Sequence, residues 1–224
     1  MEFNTYTMIR YLAIFACILV VLPVHEFAHA FAAVKAGDDT PKYAGRYTVN
    51  PFAHFDITGL LMMAVVGFGW AKPVPVNPNN FRNYKSGMFW VSVAGVLSNL
   101  AMAFVSYPLL LLSYKLPDIL LFDEFIQYFL SFMVKFNVSL FLFNLLPVFP
   151  LDGFRVVEAI AKPYNRYVQF MQRYGSTILI ALILINVAAE YVPFLGYIDI
   201  LGYYMGFGGM ILSWPIIKFW GLFF

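Results

Sequence analysis

Charge is what this sequence has least of. Asp, Glu, Lys and Arg make up 12% of its 224 residues, against roughly 25% in a soluble globular domain. Hydrophobic residues make up 62% and aromatic residues 20%. That balance excludes an ordinary soluble fold and implies an integral membrane protein surrounded by a lipid bilayer. The formal net charge of +2 is too small to hold a polyanion, which excludes nucleic acid as a partner. The single cysteine, Cys17, excludes an intrachain disulfide. Flanked by Phe15, Ala16 and Ile18, it reads as packing. Internal repeats and low-complexity tracts are absent, and no polar stretch is long enough for a separate soluble domain. Residues 1–224 therefore read as a single membrane-embedded domain, with a core at about 8–155 and C-terminal helices at 156–224.

What the chain has instead is a series of long apolar runs. The fold class they imply is an all-α polytopic membrane protein of about five to six transmembrane helices. Met8 to Val34 is the first span, with Pro23 inside it. It continues past signal-peptide length without a small-residue cleavage site before His25, so it is expected to be retained. Lys42 to Val49 (KYAGRYTV) is rich in β-formers and too short to span, which predicts a small β-strand region at the membrane surface. Its edge is a possible site of strand addition by an unwound peptide. Gly59 to Trp70 is apolar but shorter than the roughly 20 residues a crossing helix needs, and is expected to be re-entrant. Met88 to Leu112 and Phe125 to Leu146 are full spans. Arg155 to Arg173 is basic and reads as an interfacial helix, followed by spans around Ser176 to Ala189 and Ile200 to Phe219.

Lys and Arg mark cytoplasmic loops. Lys35, Lys42 and Arg46 follow the first span, Lys72, Arg82 and Lys85 follow the short segment, and Arg155, Lys162, Arg166 and Arg173 follow the fourth apolar run. The Tyr114 to Glu124 loop is instead acidic, and the later loop holds Glu190 and Asp199 without a basic residue. These signs alternate only if Gly59 to Trp70 enters and leaves on one side. The result is five true spans, an outside N-terminus and a cytoplasmic C-terminus in the cell membrane.

Chemistry concentrates in the first span. The chain has three histidines, and two of them, His25 and His29, stand four residues apart with Glu26 between. On a helix both imidazoles share a face, and HExxH is the two-histidine zinc motif whose glutamate is the general base of a metalloprotease. His25 lies about 25 Å along the helix from Met8 at 1.5 Å per residue, towards the cytoplasmic end. A catalytic zinc wants a third protein ligand and an open position. Asp152 is the strongest candidate, because Pro147 and Pro150 break the helix before it and Gly153 allows close approach. The re-entrant topology brings it to the same side as His25. A helix N-cap is the alternative role for Asp152, and His54, in NPFAHFD, is the other candidate ligand or a loop histidine.

Taken in order, HEFAH in the first span, GRYTVNPFAHFD, GWAKPVPVNPNNFRN, AGVLSN and NLLPVFPLDG resemble the site-2 protease family of intramembrane zinc metalloproteases, over about Val21 to Arg155. The resemblance implies three core helices around one Zn²⁺ per chain, held by His25, His29 and Asp152, with Glu26 as catalytic base. It also implies that Asn144 holds the substrate or stabilises the reacting carbonyl, with His54 a further candidate on the substrate side. The family's proline within AGP is Val96 here, and Phe154 follows LDG in place of a small residue. The implied partner is a membrane-protein substrate with a transmembrane helix. A metal-binding transporter or scaffold without protease activity is the alternative, although transporters tend to carry inverted repeats and paired broken helices.

Overall fold

A computed structural model of the chain describes residues 4–59, 71–115, 117 and 121–224. Helix α1 spans Thr5–Ala36. It begins where the Asn4 side chain accepts the Thr7 N–H at 2.9 Å, an N-cap that satisfies one otherwise orphaned donor. It ends at Gly37, whose φ of +113° suits a left-handed cap that returns amides to the Ala33 and Val34 carbonyls. Two short helices follow, α2 at Thr40–Tyr43 and α3 at Pro51–His54. Helix α4 (Tyr84–Ser113) is capped by Asn83 and α5 spans Phe122–Leu145. Helix α6 (Asp152–Ile160) is short, α7 (Arg166–Ala189) is capped by Asn165, and α8 (Ile200–Trp220) is capped by Asp199.

Five of these, α1, α4, α5, α7 and α8, are long and apolar enough to cross a membrane. The chain is thus a multi-pass helical membrane protein, as its composition predicts. Helices α1, α4 and α5 pack against one another and form the core. Cys17 and Val21 of α1 meet Met133 of α5 in one buried cluster, and Ala103, Val138 and Leu142 join Ile216 of α8 in another. Helices α7 and α8 are peripheral, and far less of each is buried than of α4. Their outward Ile180, Leu184, Phe207 and Trp214 are exposed, the apolar surface a lipid-facing helix presents.

Two expectations are corrected. Lys42 to Val49 does not form strands, and the described residues contain no sheet, only an isolated antiparallel bridge between Phe55 and Ala71. Pro41 opens α2 and Gly45, at φ +67°, turns the chain straight after it. The β-formers are left without a strand to pair with, and β-propensity acts through such pairing. Arg155 to Arg173 is likewise not one interfacial helix. It is the end of α6, a turn through Lys162–Asn165, and the first turns of α7, which run unbroken into the apolar span. Pro163 and the Asn165 cap set that break. The re-entrant reading of Gly59 to Trp70 falls on residues 60–70, outside the described residues.

Residues 71–83 cross back over the C-terminal half of α1, and the Asp38 carboxylate, just past the cap of α1, holds them there. Asp38, fully buried, accepts from the Asn77 N–H at 2.7 Å, the Asn80 side-chain amide at 2.8 Å and the Thr40 N–H at 3.1 Å, together with the Thr40 hydroxyl. Burial raises its pKa, but these donors outweigh burial and hold it below the ordinary value of 3.8. A folded-state pKa below the unfolded one means the stabilisation is complete above that ordinary value and is lost as pH falls through the folded pKa. Asp38→Ala should therefore destabilise the protein by about 2–4 kcal/mol at neutral pH. The difference in melting temperature between wild type and variant, measured in detergent, should narrow as pH drops below about 4.

Candidate metal centre

Four-residue spacing on α1 directs His25 and His29 to the same side, and their Nε2 atoms stand 3.1 Å apart. Oδ2 of Asp152 lies 3.1 Å from Nε2 of His29 and 3.5 Å from Nε2 of His25. All three residues are buried. A tetrahedral zinc with bonds of about 2.0–2.2 Å separates its ligand atoms by about 3.3–3.6 Å. The three atoms thus approximate one face of that tetrahedron and leave the fourth vertex for water or a substrate oxygen. Among the described residues, these are the three grouped so that they could share an ion.

The outer hydrogen bonds show that the centre fits a cation. Nδ1 of His29 is 2.7 Å from the Val91 carbonyl, which only accepts, so Nδ1 carries a proton and, in the neutral ring, Nε2 carries the lone pair. Nδ1 of His25 is 2.8 Å from Oδ1 of Asn99, with the same consequence. Among the described residues, Oδ2 of Asp152 has no hydrogen-bond donor. Three electron-rich atoms facing one another in an apolar interior repel, and a divalent ion removes that cost. Two imidazoles and a carboxylate are a zinc donor set.

Two glycines make the approach possible. A Cβ on Gly153 would fall 2.2 Å from the Leu145 carbonyl oxygen and 2.6 Å from that of Leu146. Only glycine lets α6 begin hard against the end of α5, and this is what carries Asp152 to the histidines. Asp152 is the first residue of α6, with Leu151 at the cap position, so it is not the N-cap. A Cβ on Gly95 would lie 2.3 Å from Nε2 of His29 and 2.6 Å from Cε1 of His25. Helix α4 therefore lies directly against both rings.

Glu26 is partly exposed and its Oε2 accepts the Val74 N–H at 3.2 Å. The crossing segment is held in place by the Lys72 N–H on the His54 carbonyl at 2.7 Å and the Arg82 N–H on the Ala36 carbonyl at 2.9 Å. His54 is fully buried, with Nε2 2.7 Å from the Thr48 carbonyl, and is not part of the metal group. Asn144, near the end of α5, donates its side-chain amide to the Leu140 carbonyl at 3.1 Å. Asn99, Val74 and the Val91 carbonyl escaped the sequence reading. Gly95 and Asn99 are four apart in AGVLSN, but that spacing alone does not say which neighbour their face of α4 meets. Main-chain groups such as the Val74 N–H leave no residue-type signature at all.

Gly95→Ala should drive a methyl group into both imidazoles and weaken zinc binding by about tenfold or more. Gly206→Ala, where a Cβ meets nothing within 4 Å, should not. Metal analysis of purified protein after equilibration with a chelator reads the difference.

Residues 115–185, which include Asp152 but not the histidines, match the profile of Peptidase family M50. The "Putative zinc metalloprotease YwhC" of Bacillus subtilis is 43% identical over 148 residues, covering 65% of this chain and 68% of that protein. The "Putative zinc metalloprotease Rip2" of Mycobacterium tuberculosis is 31% identical over 152 residues, covering 65% of this chain and 56% of that protein. No solved structure matches the chain. A relative of this identity, matched over two thirds of its length, together with the profile match around Asp152, shows that the chain belongs to peptidase family M50, the site-2 protease family.

Proposed function

We propose that the protein is an intramembrane zinc metalloprotease that hydrolyses peptide bonds within or near transmembrane segments of membrane-protein substrates, as in regulated intramembrane proteolysis. The observation that carries this reading is the triangle of His25, His29 and Asp152 donors, with both histidines on a helix long enough to cross a bilayer and Glu26 next to the first of them. The names of the bacterial relatives support it.

Zinc, when bound, supplies Lewis-acid polarisation of the scissile carbonyl and acidifies the attacking water. Glu26 takes the proton from that water as its oxygen bonds to the carbonyl carbon. It then delivers the proton to the amine nitrogen as the C–N bond breaks. The Val74 N–H on Oε2 of Glu26 leaves the other carboxylate oxygen for this work. A helical substrate hides its carbonyls in hydrogen bonds and must unwind before it reacts. We assign Asn144 to receive the unwound chain, and His54 to hold its own loop through the Thr48 carbonyl. Lys35 in the last turn of α1 supports a site nearer the cytoplasmic face of the cell membrane.

Glu26→Gln should keep zinc and lower cleavage by about 10²–10⁴-fold, measured in proteoliposomes on a reporter with one membrane helix. Asp152→Ala should lose zinc as well as cleavage. Undiminished proteolysis by the Glu26→Gln protein would remove glutamate as the base, and metal flux without cleavage by the wild type would favour a transporter.

A further inference from the structure

The two imidazoles are oriented by different kinds of group. His29 gives its Nδ1 proton to a main-chain carbonyl, Val91, which no substitution removes. His25 gives its Nδ1 proton to a side chain, Oδ1 of Asn99 at 2.8 Å. Val91, Gly95 and Asn99 recur at four-residue intervals on α4, so an acceptor, a gap and an acceptor lie on one helix face. The gap receives the rings and the acceptors on either side fix their tautomers.

Asn99 is fully buried, and its Nδ2 has no hydrogen-bond partner among the described residues. An amide kept there for packing alone would be a liability, since an unpaired donor in an apolar interior is unfavourable. The partner its carboxamide holds at good distance is His25, with Ser98 Oγ a distant second at 3.5 Å. Were the amide reversed, Nδ2 would donate to Nδ1 of His25. The imidazole proton would then move to Nε2, the atom that faces His29 and Asp152, and that atom could no longer ligate.

We infer that Asn99 is a positioning residue that holds His25 in the Nδ1–H tautomer and so keeps its Nε2 available for the metal. This rests on the metal-site reading above. An acceptor behind a ligating histidine raises the basicity of the ligand and fixes its ring, and losing one commonly weakens metal binding by about 10–100-fold. The requirement is for an acceptor, not for an amide. Asn99→Asp retains the acceptor, and its added negative charge is tolerated beside a divalent ion. Asn99→Leu fills similar space and removes it.

The test uses the full chain purified in detergent, stripped of metal and titrated with zinc against a competing chelator, with the cobalt(II) absorption spectrum as a second readout. Asn99→Leu should bind zinc about 10–100-fold more weakly and give an altered cobalt spectrum. Asn99→Asp should stay within about threefold of wild type. A merely structural role predicts no rescue by aspartate. Leucine binding like wild type, or aspartate binding as weakly as leucine, would overturn the assignment. Should the leucine protein fail to fold, nitrogen-15 histidine spectra of metal-free wild type decide the matter: a proton on Nδ1 of His25 supports the assignment and a proton on Nε2 overturns it. Wild type that takes up no zinc would instead remove the metal site itself, and this role with it.

Discussion

With both imidazoles neutral and protonated on Nδ1, three lone-pair-bearing atoms, two nitrogens and a carboxylate oxygen, meet in an apolar interior. Left alone, that arrangement is repulsive, because low dielectric magnifies the cost. A divalent cation turns the same geometry into a favourable one. The rest of the structure follows from keeping those atoms together. The first helix and the start of α6 come from distant parts of the chain, and each is brought in by a backbone approach that tolerates no side chain. Gly153 sets α6 against the end of α5, and Gly95 sets α4 against the rings.

Packing and chemistry are therefore not separable here. The cluster of Cys17, Val21 and Met133 holds α1 against α5 below the histidines, and that of Ala33, Phe81 and Val91 holds α1 against α4 above them. Phe81 belongs to the segment that also delivers the Val74 N–H to Glu26. Asp38 ties that segment to the cap of α1 through main-chain and side-chain donors. A single length of largely irregular chain thus packs on one end of the core and contacts the Glu26 carboxylate.

Much of this was legible from residue types. Long apolar runs gave the spans, because a membrane helix is specified by length and hydropathy more than by any partner. HEFAH and LDG pointed to the three residues that the structure groups, because few side chains bind zinc and helix geometry puts His25 and His29 on one face. The strand expectation at Lys42 to Val49 failed because propensity is not pairing: Pro41 and Gly45 commit the backbone first. The interfacial helix failed because basic residues describe a depth in the membrane and not a continuous element. Asn99 was hidden for another reason. A buried polar residue on a membrane helix is a visible oddity, but which ring it faces depends on the rotation of α4 about its axis, and that rotation is set by Gly95.

The central claim is that Asp152 and the two histidines share one ion, and X-ray absorption of the zinc-loaded protein tests it most directly. The account predicts one zinc per chain with only nitrogen and oxygen neighbours at about 2.0–2.2 Å, two of them imidazoles, and a first shell that changes when Asp152 is replaced. A sulfur neighbour, a substoichiometric ion, or a shell indifferent to Asp152 would contradict it.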